Sequence, residues 1–562
     1  MVAADKKKLI PIGIDDFEKL VAGNYYFTDK SLLIKEVLDS GAAVTLLPRP
    51  RRFGKTLNLS MLRYFFEKVG QSRRYLFNGL KIEQHADCMK HQGKYPVIWL
   101  TFKDVKMGTW EPCYEKICKV IGAEFKRHFN AINGSLSDLE IRQVQDIIAG
   151  TASQASYENS LMDLSRYLEQ AYKEKVVILI DEYDAPIHAA FLNGYYNEVV
   201  SFMRGFFGAS LKGNNSLNLG VMTGILRVAK ESIFSGINHL EVRTFLQNAY
   251  SDKFGFLEDE VVALFSYFGL ATNLDDVRRW YDGYRSGLYK VYNPWSIINF
   301  AKNSGELQPY WVNTSDNALI KDLLKRCTPE MKEDLEVIVA GGKVTKSIQE
   351  NIIMTDIEKN DAVLWNFLLF CGYLTFEDYR LVVDTHYAEL LMPNIEVGTT
   401  YKTSFSTWFA EGSGLRNYNK MLESLVMGDM EPFQDYFMKF TKETLSTFDV
   451  QGDTPENFYH ALVLGMLASL MQTHQVRSNR ESGYGRYDVL IIPQDHANPG
   501  IILEFKKVNV KKKETLETAA QDALSQIEDR LYETELQTLG IKKILKIGIS
   551  FKGKESFVLV GD

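Results

Sequence analysis

Four short apolar runs in the first half of the chain limit its fold more than any other feature. They are Val44–Leu47, Val97–Phe102, Val176–Ile180 and Leu219–Thr223. Each is continuously apolar or nearly so, the pattern of a strand buried on both faces rather than one with a solvated side. Helical periodicity separates them, as over Leu57–Val69 and Leu161–Tyr172. Strands alternating with helices predict an α/β fold with a parallel sheet covered on both faces. The 562 residues allow about three to four domains, and 45% hydrophobic with 24% charged residues excludes wholesale disorder. A net charge of −7 excludes a generally basic nucleic-acid coat but leaves room for a local basic groove.

The opening stretch, MVAADKKKLIPIGI, has lysines with no long apolar core behind them, so no secretory signal is expected. The longest apolar-leaning run, Ala461–Met471, is too short for a bilayer, which takes about 20 residues. The cysteines, Cys88, Cys113, Cys118, Cys327 and Cys371, are scattered and form no CxxC pair. Neither a disulfide framework nor a zinc site is expected, and a cytoplasmic setting without membrane contact fits. Three regions are expected. Residues 1–250 hold the parallel sheet. Residues 251–445 read as mostly helical, with amphipathic segments at Glu258–Phe268 and Ala318–Arg326. Within them, helix-like Ala362–Cys371, then Gly372, then strand-like Tyr373–Val383 and Ala388–Val397 suggest a winged-helix-like element, with an ordinary α+β packing unit as the alternative. Residues 446–562 read as a compact α/β unit: helix Glu456–Thr473, strands Tyr487–Pro493 and Gly500–Lys506, helix Leu516–Tyr532, strands Leu545–Phe551 and Ser556–Val560.

The first run leads into Pro48-Arg49-Pro50-Arg51-Arg52-Phe53-Gly54-Lys55-Thr56 and then the helical Leu57–Phe66. A strand, a loop ending in Gly-Lys-Thr and a helix are the setting of a phosphate-binding loop. Gly54 lets the backbone approach phosphate without a Cβ. The amides near Phe53–Thr56 and the helix N-terminus offer donors to an anion. Arg52, Phe53 and Leu57 complete the expected nucleotide contacts. Lys55 suits the β- and γ-phosphates of ATP, and the Thr56 hydroxyl suits Mg²⁺. Arg49 stands where GxxxxGK[ST] has its first glycine, so the loop must turn by other means. The bland alternative is a chance Gly-Lys-Thr at a helix start.

The third run ends in Asp181-Glu182-Tyr183-Asp184, the Walker B arrangement. Asp181 would hold the Mg²⁺ shell and Glu182 would polarise the attacking water. Taken alone, this is equally a buried strand ending in a solvated acidic turn. The fourth run ends at Thr223, a candidate to sense the γ-phosphate. Arg227 either stabilises phosphate charge or lies on the surface.

The last region offers a second carboxylate set. Asp488 lies in one candidate strand and Glu504 and Lys506 in the next. Side chains alternate along a strand, so Ile502, Glu504 and Lys506 share one face while Ile501, Leu503 and Phe505 share the other. The second face is expected to pack on a helix. Paired strands would let Asp488 and Glu504 converge on one Mg²⁺, with Lys506 orienting water or balancing charge on a scissile phosphate. Glu456 and Gln526, on flanking helices, are further candidates. Lys507 and Lys511–Lys513 would suit a phosphate backbone, although a charged solvated loop is the default for such a run.

Several blocks together resemble one family. They are Ile10–Gly13, Tyr25–Ser31, Arg49–Ser60, Thr223–Lys230, Tyr292–Ser296 and Glu481–Asp488. The chain resembles the bacterial AAA-ATPase-like family that carries a C-terminal PD-(D/E)XK nuclease-superfamily domain. The resemblance implies an extended-AAA P-loop domain, a helical or winged-helix middle and a restriction-endonuclease-like end. It also implies ATP at Lys55, Thr56, Asp181 and Glu182, and Mg²⁺-dependent cleavage at Asp488, Glu504 and Lys506. The Arg49 departure belongs to the family's own loop. An ATP-hydrolysing nuclease acting on nucleic acid, DNA foremost, is the expected function, with defence against foreign DNA as a setting. The alternative is a nucleotide-switched regulator or binding module with weak ATPase and no cleavage. A homo-oligomer is compatible with either.

Overall fold

The computed structural model describes residues 7–226, 233–234, 239–311, 328–339, 341–350, 361–401, 415–444, 463, 467, 470, 473–482, 485–509, 513–529, 532–553 and 555–561. The chain divides into two compact units. One comprises Met1–Asp316 with Thr345–Glu396, the other Asn317–Val344 with Val397–Asp562. Among the described residues no helix is long and apolar enough to cross a membrane.

The first unit is organised by a parallel sheet of β1 (Val44–Pro48), β2 (Val97–Thr101), β3 (Val176–Asp181), β4 (Leu217–Gly224) and β5 (Leu240–Val242). The strand order is β2-β3-β4-β1-β5. The expected runs became β1 to β4, each buried along most of its length. Alternate residues feed two layers. Ile98, Leu100, Ile178 and Ile180 join a core with Ile117, Ile121, Leu161, Leu164, Phe202 and Phe206 from three long helices, Trp110–Ile132, Gln154–Tyr172 and Tyr196–Leu211. Val177 and Leu179 are as fully buried on the opposite face, where the helix Lys55–Phe66 packs on β3 and β4. Each such side chain contributes about 1.5–3 kcal/mol when fully buried.

The order places β4 between the strand that feeds the loop and the strand that ends in acids. Leu47 pairs with Thr223, Pro48 with Gly224 and Thr101 with Asp181. This inserted strand is the extended-AAA arrangement. It brings the carboxyl ends of β1, β3 and β4 to one edge, the usual ligand edge of a parallel sheet.

The same unit holds a helix at Glu258–Phe268 and a two-stranded piece, β6 (Tyr284–Ser286) with β7 (Tyr289–Val291). A second small sheet runs β8-β10-β9, from β8 (Val344–Ile348), β9 (Thr375–Val382) and β10 (Thr385–Leu391). The helix Asp361–Cys371 precedes the antiparallel β9–β10 hairpin, the helix-then-wing order read from the sequence. Gly372 ends that helix at φ +85°, and a Cβ there would sit 3.0 Å from Pro50.

The second unit carries a mixed sheet ordered β11-β12-β13-β14-β15, with β11 (His474–Ser482), β12 (Gly485–Pro493), β13 (Gly500–Lys507), β14 (Ile544–Lys552) and β15 (Glu555–Gly561). Only β13 and β14 are parallel. A parallel pair needs a crossover, supplied here by the helix Leu516–Asp529. The sequence reading did not foresee β11, whose segment HQVRSNRES has one strongly apolar residue. The helix expected over 456–473 and the helix expected over 318–326 fall mostly or wholly outside the described residues.

One expectation about β13 is corrected. Ile502, on the Glu504 face, packs with Leu524 and Ile527 of the crossover helix. That helix runs so close to β14 that a Cβ on Gly548, the partner of Glu504, would lie 2.4 Å from the Ala520 carbonyl. On the other face Phe505 meets Phe551, which meets Phe437 of the helix Met430–Thr444. Both faces are helix-covered, because residue 502 is as apolar as 501 and 503.

Candidate functional site

The loop after β1 turns with Arg52 at φ +67° and Gly54 at φ +82°, and the helix begins at Lys55. The left-handed value suits glycine at 54, and the space where a Cβ would stand is open to at least 4 Å. Lys55 is buried, and its ammonium donates to the carbonyls of Arg49 (3.1 Å) and Pro50 (2.9 Å). Burial pushes its pKa down, opposed by the carboxylates of Glu182, Asp184 and Asp181. A buried cation whose direct hydrogen bonds run to neutral carbonyls, with carboxylates only nearby, suits an arriving anion.

Asp181, buried at the end of β3, collects three hydroxyls. Thr56 donates to Oδ2 at 2.9 Å, Thr101 to Oδ2 at 3.3 Å and Thr223 to Oδ1 at 2.7 Å. Burial raises its pKa and those hydroxyls pull it back down. Three strands and the loop helix thus meet on one carboxylate. Glu182 is next along the chain with φ +47°, a conformation costing about 1–2 kcal/mol outside glycine. Burial pushes its carboxyl up, while Lys55 lowers it.

The remaining loop residues do other work. The Phe53 ring packs edge-on against Tyr284 at 5.1 Å, so only its backbone can face an anion. The Arg52 guanidinium lies 4.3 Å over the Trp295 ring. Leu57 sits half-buried in the first turn of the helix. Arg227 lies outside the described residues.

Arg49 explains how the loop turns without its first glycine. Its side chain is fully buried and donates to the carbonyls of Pro48 (2.7 Å), Arg243 (2.7 Å) and Tyr250 (3.3 Å), with Phe254 4.8 Å beneath. Burial pushes this guanidinium down to about 9. Sequence reasoning registered Arg49 only as a departure, because two of the three carbonyls it holds are some 200 residues away. Thr101 was also missed. A polar residue closing the apolar β2, beside β3, was the available signal.

In the second unit β12 and β13 pair for three residue pairs and end at Val489–Leu503. Beyond that point side chains replace the ladder. Phe505 donates its amide to Asp488 Oδ2 at 2.7 Å, and Asp488 donates its amide to Glu504 Oε2 at 3.2 Å. The two carboxylates are thereby held together where the strands part. Gln526, from the crossover helix, donates to Glu504 Oε1 and lies 3.4 Å from the Tyr532 hydroxyl. Lys506 is half-buried two residues further along the Glu504 face. Tyr532 was not anticipated as a neighbour of the set. Glu456, Lys511 and Lys512 lie outside the described residues.

The inserted-strand sheet and the Lys55–Thr56–Asp181–Thr223 cluster at its carboxyl edge define a Walker-type ATPase fold. Comparison with known families agrees. Residues 11–234 match the family described as "Predicted AAA-ATPase", and residues 454–560 match the PD-(D/E)XK nuclease superfamily. The chain carries one domain of each. A protein of Azotobacter chroococcum, described as an uncharacterized protein in the vnfD 5′ region, is 25% identical over 569 residues, covering 99% of this chain and 98% of that one. Among solved structures, a Walker-type ATPase of Pyrococcus abyssi aligns with 71% of this chain and 99% of its own, at 14% identity and a TM-score of 0.35.

Proposed function

We propose that the first unit binds and hydrolyses ATP with Mg²⁺ and that the second unit cleaves a nucleic-acid phosphodiester, DNA foremost, with Mg²⁺. The observation that carries the reading is the meeting of Thr56, Thr101 and Thr223 on Asp181 beside a buried Lys55. The donor set fits both groups. Lys55 and the amides of 53–56 would hold the phosphates, and Thr56 with Asp181 would hold the ion. Glu182 would accept a proton from the attacking water, a task suited to a carboxyl whose pKa burial has raised. Thr223 would orient that water or read the terminal phosphate.

In the second unit Asp488 and Glu504 would hold the divalent ion, which supplies charge neutralisation at the scissile phosphate when bound. Gln526 fixes the Glu504 carboxylate, and Lys506 would balance phosphate charge. The amide bonds that tether both carboxylates, together with a net charge of −7, favour a second reading in which this unit binds nucleic acid or a partner without cutting it.

The test is phosphate release and plasmid cleavage by the full chain, with and without ATP and with Mg²⁺ or EDTA. Lys55→Ala and Glu182→Gln should abolish phosphate release. Asp488→Asn and Glu504→Gln should abolish cleavage while leaving it. Cleavage unchanged in both nuclease variants would remove the cutting half of the proposal. Absence of ATP binding by the wild type would remove the other half.

A further inference from the structure

Asp184 stands at the N-cap position of the helix Ala185–Asn193. There an aspartate usually turns its carboxylate onto the first amides of its own helix, for about 1 kcal/mol. Here it makes no such bond. Its Oδ2 instead accepts the amides of Ile225 at 2.8 Å and Leu226 at 2.9 Å, the residues that leave β4.

Three more bonds fasten the same outlet. Tyr183 donates its amide to the Thr223 carbonyl at 3.1 Å and its hydroxyl to the Leu226 carbonyl at 2.8 Å. Arg49 donates its amide to the Gly224 carbonyl at 3.0 Å. Gly224 itself admits nothing larger, since a Cβ would lie 2.7 Å from the Tyr183 ring and 2.8 Å from the Asp184 carboxylate.

Residues 223–226 are therefore clasped by the phosphate loop on one side and by the turn after β3 on the other. The loop cannot shift without pulling on them. Thr223, whose hydroxyl sits on Asp181, is the near end of the clasp. His188, one turn along the helix, lies 3.6 Å from Asp184 Oδ2, and burial pushes its imidazole pKa down against the pull of Asp184. The two amides bond the carboxylate in this direction, and it also lies in the field of Lys55.

We propose that Asp184 is a positioning residue that couples occupancy of the phosphate loop to the segment leaving β4, by pinning the Ile225 and Leu226 amides so that Thr223 stays on Asp181. The inference rests on the nucleotide reading above. It assigns to the fourth residue of Asp181-Glu182-Tyr183-Asp184 a task separate from ion or water handling.

The test is amide hydrogen exchange on the full chain, with and without Mg²⁺ and a non-hydrolysable ATP analogue, alongside steady-state ATP hydrolysis. In the wild type the analogue should protect both residues 53–57 and residues 225–226. In Asp184→Ala protection at 53–57 should persist and the response at 225–226 should vanish. Its kcat should fall about 10- to 100-fold, with KM within about threefold of wild type. Asp184→Asn, which keeps an acceptor oxygen, should retain most of both. Gly224→Ala, which crowds the clasp from its other side, should behave like Asp184→Ala. If Asp184→Ala fails to fold, the other two variants carry the test. An undiminished response at 225–226 with unchanged kcat, or a lower melting temperature alone, would overturn the coupling. No protection of 53–57 in the wild type would refute the nucleotide reading instead, and the coupling with it.

Discussion

Glu396 is fully buried in the first unit, and the structure says what its charge costs. Its oxygens accept from the Ser296 hydroxyl and the Trp311 amide, both at 2.6 Å. Burial pushes its pKa up, the hydrogen bonds pull it partly back, and it settles at about 7 against an ordinary 4.5. Each tenfold change in proton affinity is about 1.4 kcal/mol. The ionised carboxylate is therefore about 3 kcal/mol less favourable in the fold than in the open chain. The sign follows from the raised pKa. The neutral acid's contribution is fully present below pH 4.5, declines as pH rises toward 7, and is gone above it. Glu396→Gln mimics the neutral acid, with Oε1 facing the Trp311 amide and Nε2 facing the Ser296 oxygen. Urea unfolding of wild type and variant, followed through the transition of the first unit, should give similar stabilities at pH 4.5. The variant should gain steadily to about 3 kcal/mol by pH 8. A difference that does not change with pH, or a variant less stable at pH 8, would refute the reasoning.

Three other substitutions, at two positions, test packing. Arg49→Met removes the donor from three buried carbonyls and should lower the stability of the first unit by about 3 kcal/mol. Arg49→Gly, which restores the common loop glycine, should fold worse still and bind ATP no better, as thermal melting and nucleotide titration would show. Gly548→Ala drives a methyl against the Ala520 carbonyl. It should cost the second unit about 1–3 kcal/mol in denaturant melting. A change below about 0.5 kcal/mol would mean that the crossover helix yields easily.

The parts of this molecule that could be read from the chain are those written in local pattern. Val176–Ile180 declares a two-sided strand because every residue is apolar, and Asp181 falls at its end. The helix Glu258–Phe268 was legible to the residue from its amphipathic spacing. Three-residue β5 is too short to carry a pattern, and the Ser, Asn and Arg residues of β11 hide one. The Arg49 anchor depends on carbonyls at 243 and 250, which no window around residue 49 contains. Nor does the sequence announce that Glu182 turns left-handed or that Asp184 leaves its own helix uncapped. Both follow from the neighbouring strand, whose place in the sheet is a tertiary fact. The pairing of Asp488 with Glu504 was foreseeable from two adjacent strands. The exchange of carboxylate-to-amide bonds between them was not, because it begins only where the ladder stops.

The position of β4 also sets a timetable for biosynthesis. Both neighbours of β1 in the sheet, β4 and β5, lie after residue 216, while β2 and β3 can pair as soon as residue 181 emerges. At translation speeds of about 5–20 residues per second, β1 waits roughly 10 to 30 seconds for a partner. Throughout that wait an apolar strand with two bare edges is tethered to a growing chain. The ribosome-bound intermediate, more than the finished protein, exposes that bare strand, and slow codons between 181 and 217 would lengthen the exposure.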